Sequence, residues 1–162
     1  MKSVWVLAVA AALVGTTLCS DARAVVGPTT DVLHSGWSGK ASYFSESNCF
    51  VNSYSAVFSS GCSNSPMWVV PLHPAQSLSY SAYVTAGVGS NGGPGTITCF
   101  VAAVPARFPS SSTYYSATQS YTGFTDVTLS FVLPSLNGQF MGLDLYCAMG
   151  AGTHLNSVVV TQ

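Results

Sequence analysis

The sequence predicts an all-β fold, an antiparallel two-sheet sandwich of Greek-key or jelly-roll type with two disulfides. Three observations carry that expectation. Apolar residues recur with period two in several windows. Gly-, Pro- and Asn-rich turn signals separate those windows. No window beyond the N-terminal segment shows the i, i+3, i+4, i+7 apolar stripe, opposed by Lys and Glu, of a surface helix.

Taken in chain order, Met1 to Ser3 is a short basic start. The run VWVLAVAAALVG (Val4 to Gly15) is apolar, and a polar stretch then ends in Ala22-Arg23-Ala24. This order of n-region, h-region and A-x-A site predicts a secretory signal peptide over 1–24, leaving one sandwich domain over 25–162. The apolar run is shorter than the roughly 20 residues that span a bilayer, so no transmembrane segment is expected after cleavage. The expected destination is secreted or periplasmic.

Less regular strands are read at Ala41 to Phe44, Ser53 to Ser59 and Met67 to Leu72. In Ser77 to Thr85 (SLSYSAYVT), Leu78, Tyr80, Ala82 and Val84 share one face and serines the other. Gly87-Val88-Gly89-Ser90-Asn91-Gly92 then matches G-x-G-x-x-G. A dinucleotide site needs a helix N-terminus there, whereas Gly93-Pro94-Gly95 leads straight into another alternating run, so a hairpin loop is expected. That run, Thr96 to Val104, places Ile97, Cys99, Val101 and Ala103 on one face. After the turn-rich Pro105 to Ser112 comes an irregular strand at Tyr114 to Tyr121. Asp126 to Leu133 alternates with Val127, Leu129, Phe131 and Leu133 on one face. Asn137-Gly138 predicts a tight hairpin into Met141 to Met149, where Met141, Leu143, Leu145, Cys147 and Met149 share a face. Leu155 to Thr161 closes the chain.

Removal of the leader takes Cys19 with it, so the five cysteines become four: Cys49, Cys62, Cys99 and Cys147. An even count in an exported chain reads as structural disulfides, with three possible connectivities. Cys99 and Cys147 both lie on apolar strand faces, which favours a buried bridge between them. Cys49 and Cys62 lie close together in a Ser/Asn/Gly-rich stretch, which favours a local bridge.

The local cysteine pair, WVVPL (Trp68 to Leu72), ITCFV (Ile97 to Val101) and LDLYCAM (Leu143 to Met149) together resemble a group of small exported bacterial proteins of unknown function. The resemblance covers most of the chain after the leader. It implies the β fold and the cysteine pairing, and no activity.

Composition excludes several functions. Four Lys and Arg in 162 residues, unclustered, cannot neutralise a phosphate backbone, so nucleic acid is not an expected partner. Hydrophobic content of 48% with 6% charged residues is the reverse of a disordered chain. The acids that could support glycosidase chemistry are Glu46, Asp126 and Asp144, which would have to pair at about 5 to 10 Å. His34, His73 and His154 show no H-x-H or H-x-x-x-H spacing and the cysteines no C-x-x-C, so no metal or other cofactor is expected. No G-x-S-x-G nucleophile elbow is present.

The aromatic residues offer more. Trp37, Tyr43, Phe44, Phe50, Tyr54, Tyr114, Tyr115 and Tyr121 fall in polar or weakly patterned segments. Those rings either plug the ends of the sandwich or contact a ligand, since flat rings with polar tips suit sugars and protein interfaces alike. Trp37, Tyr54, Tyr114 and Tyr115 are the candidate binding residues. Of the adjacent pair Tyr114 and Tyr115, at most one can face the core. The leading reading is a non-catalytic exported protein that binds a glycan or a surface protein. A small hydrolase using two of the three acids is the alternative, and self-assembly through weakly charged edge strands is a third.

Overall fold

The computed structural model describes residues 31–54, 56–60, 62, 64–73, 81–91, 95–105, 113–135 and 140–162. The predicted signal peptide lies outside the described residues, as do Ser77 to Tyr80, Gly92 to Pro94, Arg107 and Asn137-Gly138.

Within the described residues the chain forms two six-stranded antiparallel sheets. Sheet A contains β1 (Asp31–Ser35), β3 (Phe50–Ser53), β4 (Ala56–Ser59), β6 (Ala82–Ser90), β10 (Val127–Leu133) and β12 (Thr153–Thr161). Sheet B contains β2 (Lys40–Ala41), β5 (Met67–Leu72), β7 (Gly95–Pro105), β8 (Tyr114–Tyr115), β9 (Gln119–Gly123) and β11 (Phe140–Met149). Sheet A runs β10-β6-β12-β4-β3, with β1 also on β12; sheet B runs β2-β5-β11-β7-β8, with β9 also on β7. Apart from the β3–β4 hairpin and the β7–β8–β9 segment, every connection passes from one sheet to the other, as in a jelly roll.

Two local expectations fail against this topology. The segment around Asn137-Gly138 does not join a hairpin, because β10 pairs with β6 in one sheet and β11 with β5 and β7 in the other. Nor is the glycine-rich segment a hairpin loop: Gly87, Val88, Gly89 and Ser90 belong to β6, and the connection to β7 changes sheets. Turn residues report that the chain bends. Which sheet receives the next strand is decided by where its apolar face can be buried.

Two other boundaries shift for backbone reasons. The span Ser53 to Ser59 is divided by Tyr54, whose φ of 53° breaks extension and turns β3 into β4. The span Tyr114 to Tyr121 is divided at Ser116, whose hydroxyl accepts from Val101 N–H at 2.9 Å while its own N–H donates to Val101 O at 2.8 Å. That double use of one residue interrupts the ladder between β8 and β9.

The alternating residues meet between the sheets. Ala82, Val84, Ala86 and Val88 of β6 and Leu129, Phe131 and Leu133 of β10 face Ile97, Cys99, Val101 and Ala103 of β7 and Leu143, Leu145, Cys147 and Met149 of β11. Cys99 and Cys147 are directly opposite on β7 and β11 and form a fully buried disulfide, with Cα atoms 4.2 Å apart. Cys49 and Cys62 form the local one. One side of the sandwich is closed by Gln119, whose side-chain amide donates to Ser130 O and whose Oε1 accepts from Ser130 N–H at 3.3 Å. The amide thus occupies the outward backbone groups of Ser130, at the middle of edge strand β10, that would otherwise be open to another chain.

On the other side, the 3-10 turn Gly36–Ser38 carries the chain from β1 to β2. It is pinned at Gly36, whose carbonyl accepts from the Trp68 indole N–H at 2.8 Å. A Cβ at Gly36 would lie 2.0 Å from the Leu155 carbonyl oxygen, so only glycine permits this approach.

Candidate functional site

The period-two pattern that buries one set of side chains turns the other outward, and on sheet B the outward set gathers aromatic and polar groups. Lys40, Val69, Tyr146 and Phe100 lie in register across β2, β5, β11 and β7. Pro71, Asp144, Ala102 and Tyr115 form the adjoining row across β5, β11, β7 and β8. The rings of Phe100 and Tyr146 stack with centroids 5.1 Å apart and planes 4° from parallel. Tyr115, 60% exposed, meets Phe100 edge-on at 5.9 Å. Such offset and edge-to-face contacts hold rings in fixed orientations.

Phe100 covers one face of the Tyr146 ring. The rest of Tyr146 lines an open pocket of about 300 Å³ with Lys40, Ser42, Val69, Pro71 and Asp144. Towards β9 the same face continues as paired hydroxyls, Thr98 with Ser120 at 2.8 Å and Thr96 with Thr122 at 2.7 Å. A flat apolar wall beside a carboxylate, an ammonium group and hydroxyls can take a ligand that is apolar on its faces and hydroxylated around its rim.

Burial raises the Asp144 carboxyl above its ordinary 3.8, and the positive charges of Lys40 and His73 offset part of that rise. Burial also raises Tyr146, with the Asp144 charge adding to it, so the phenol stays protonated and able to donate. His34 and His73, far apart in sequence, come together at this end of the sandwich: their ring centroids are 5.9 Å apart and His73 N–H donates to His34 Nε2 at 3.3 Å. Burial, then the neighbouring His73, lowers the His34 value.

The Asp144 shift fixes the sign of a pH effect. A carboxyl with a raised folded-state value favours folding below its unfolded value and loses that contribution as pH rises through the folded one. Asp144→Asn is therefore expected to raise the melting temperature at pH 7, and the gain should vanish near pH 3, where the native carboxyl is protonated. An equal gain at both pH values in thermal melts would contradict this origin.

The three acids do not form a pair. Asp144 faces outward from sheet B. Asp126 sits on the outer side of sheet A, where its Oδ1 hydrogen-bonds His154 Nε2 at 2.8 Å and its Oδ2 accepts from the Asn156 amide at 3.2 Å. The two sheets, spaced about 10 Å apart in a sandwich, lie between them. Glu46 belongs to a 3-10 turn over Phe44–Cys49, and its Oε2 accepts from Met67 N–H at 3.1 Å. Met67 and Pro71, the latter opposite Asp144, are four residues apart on β5, about 13 Å of strand. The strand expected from Asp126 begins one residue later, at Val127, and the Asp126 side chain serves as a clasp from the β9–β10 connection to β12. Gly89 makes room for it, since a Cβ there would lie 2.1 Å from Asp126 Oδ1.

Of the four candidate aromatic residues, only Tyr115 joins the sheet B face. Tyr114 turns the other way and packs against the core, as adjacent strand positions require. Trp37 and Tyr54 lie apart from this face, at the edge where β1 gives way to β2 and β3 turns into β4. Phe100 and Lys40 were not legible as site residues. Phe100 reads as an interior position of an apolar run, and only cross-strand register shows it beside Tyr146. No group of three or more potential metal-ligating side chains occurs among the described residues. Nor does any described helix have the length and apolarity to cross a membrane.

No protein-family model matches the chain, and no curated protein matches it. Solved structures do. A protein described as xylan-binding module CBM15 superposes with a TM-score of 0.53 at 16% identity, over 82% of this chain and 95% of that one. The CBM22-1–GH10 modules of endo-1,4-β-D-xylanase 10B from Clostridium thermocellum, solved with xylohexaose, superpose with a TM-score of 0.50 at 14% identity, over 66% of this chain. The chain spans 21% of that xylanase chain. At such identities the likeness is one of fold, and it corroborates a small β-sandwich; membership of a group of unknown function receives no support from it.

Proposed function

We propose that this domain is a non-catalytic glycan-binding module that holds a polysaccharide across the outer face of sheet B. The observation that carries the proposal is the Tyr115–Phe100–Tyr146 ring cluster beside the pocket containing Asp144 and Lys40. The ring face of Tyr146 packs against the C–H face of a pyranose, while Asp144 accepts from a sugar hydroxyl and Lys40 donates to a sugar oxygen. Ring stacking supplies affinity and the polar groups fix orientation, as in small-molecule sites generally.

The separation of the three acids supports binding without hydrolysis. The capping of Ser130 on edge strand β10 by Gln119, and the two-residue length of edge strand β2, weigh against self-assembly at those two edges. Two disulfides and the leader-like segment Val4 to Gly15 support an exported domain, with a signal peptide removed near Ala24. Since the xylan-binding module shares the fold, β-1,4-xylan is the first ligand class to try.

Native affinity electrophoresis tests the reading. Migration should be retarded in gels containing soluble xylan relative to gels without it. Unchanged migration in gels of xylan, mixed-linkage β-glucan and laminarin alike would refute a glycan-binding role for this face.

A further inference from the structure

We infer that Trp37 and Tyr54 form a second, separate saccharide site at the edge of the sandwich, which takes one sugar unit and makes the domain bivalent. This inference rests on the glycan-binding reading above and adds a site to it. The two rings, with Asn52 and Ser53, line a pocket of about 260 Å³. It shares no residue with the sheet B pocket. Bounded by four residues, with no ring cluster or hydroxyl row continuing from it among the described residues, it has room for a single pyranose.

The two rings are held very differently. Trp37 stands on the short turn that Gly36 locks against Leu155 and Trp68, so its backbone is fixed while its side chain is 52% exposed. Tyr54 is 99% exposed and holds a positive φ, a conformation that a bulky residue rarely adopts. A tyrosine that buries nothing contributes nothing to the core in return for that conformation, and such outliers concentrate at ligand clamps. Asn52 and Ser53, neighbours on β3 whose side chains point to opposite faces, complete the lining with neutral polar groups, and no charged side chain among the described residues lines the pocket. No side-chain hydrogen bond among the described residues occupies the Trp37 indole N–H, the Asn52 amide or the Tyr54 hydroxyl. Two exposed aromatic residues with neutral polar neighbours, and no charged lining residue among those described, match an uncharged sugar ring.

Tryptophan emission reads this site selectively once the 1–24 leader that carries Trp5 is removed, because Trp68 is buried with its N–H bonded to Gly36 while Trp37 is exposed. The probe is xylohexaose, titrated into the leader-free chain (25–162) carrying Tyr146→Ala to disable the sheet B site. A saturable emission change is expected in that background. Adding Tyr54→Ala should weaken it at least tenfold, and Tyr54→Phe should preserve most of it. No emission change in the Tyr146→Ala chain, with the unaltered protein still retarded by xylan, would overturn the second site and leave the first standing. Neither retardation nor emission change would overturn both. An emission change of equal affinity with and without Tyr54 would also reject the clamp.

Discussion

Replacing Tyr146 with alanine is expected to weaken binding to the retained polysaccharide about 30-fold, corresponding to about 2 kcal/mol for a central aromatic anchor. The size of the effect follows from the position of the ring. Phe100 fixes one face of Tyr146, and the remainder lines the pocket beside Asp144. Tyr146→Phe retains the ring and loses one hydrogen bond, so about a fivefold loss is expected, in keeping with about 1 kcal/mol for such a bond. Phe100→Ala should fall between these variants, because it removes the support of the ring and not the ring itself. Far-ultraviolet circular dichroism separates this from unfolding, since Tyr146 faces away from the core. A Tyr146→Ala protein that binds as tightly as the native one would place the ligand elsewhere.

Loss of the Cys99–Cys147 disulfide is expected to have the largest effect on stability. The bridge closes a loop with a sequence separation of 48, against 13 for Cys49–Cys62. On the chain-entropy model these loops correspond to about 4 and about 3 kcal/mol. Against a total of about 5–15 kcal/mol for a domain, the first is a large fraction. The paired substitution of Cys99 and Cys147 by alanine also removes two sulfurs from the centre of the core, between the inward faces of both sheets. Urea unfolding should therefore show a larger loss for that pair than for Cys49 and Cys62. The reverse order would mean that residual structure in the unfolded chain, and not loop closure, governs the contribution of each bridge.

What could be read from the sequence depended on range. β7, β10 and β11 announce themselves by alternation, and the cysteines that alternation turns inward pair as their faces require. β1 and the 3-10 turns over Gly36–Ser38 and Phe44–Cys49 have no period to reveal them, since their residues are held by contacts to Trp68, Leu155 and Met67. The hairpin expectation at Asn137-Gly138 fails because turn chemistry is local and the choice of sheet is not. The candidate site was half legible for the same reason. Tyr115 stands out among polar neighbours, and alternation alone turns Asp144, between the inward Leu143 and Leu145, to the outer face. Phe100 became part of the site only through the register of β7 on β11, which no window of sequence contains.

The most direct measurement is an amide chemical-shift map of the isotopically labelled protein titrated with xylohexaose. The largest saturable shifts are expected on the outward positions of β5, β7 and β11, centred on Tyr146, Asp144 and Phe100, with a smaller, separate set near Trp37 and Asn52. Shifts confined to the outer side of sheet A, around Asp126 and His154, or no saturable shift at all, would contradict a glycan-binding face on sheet B.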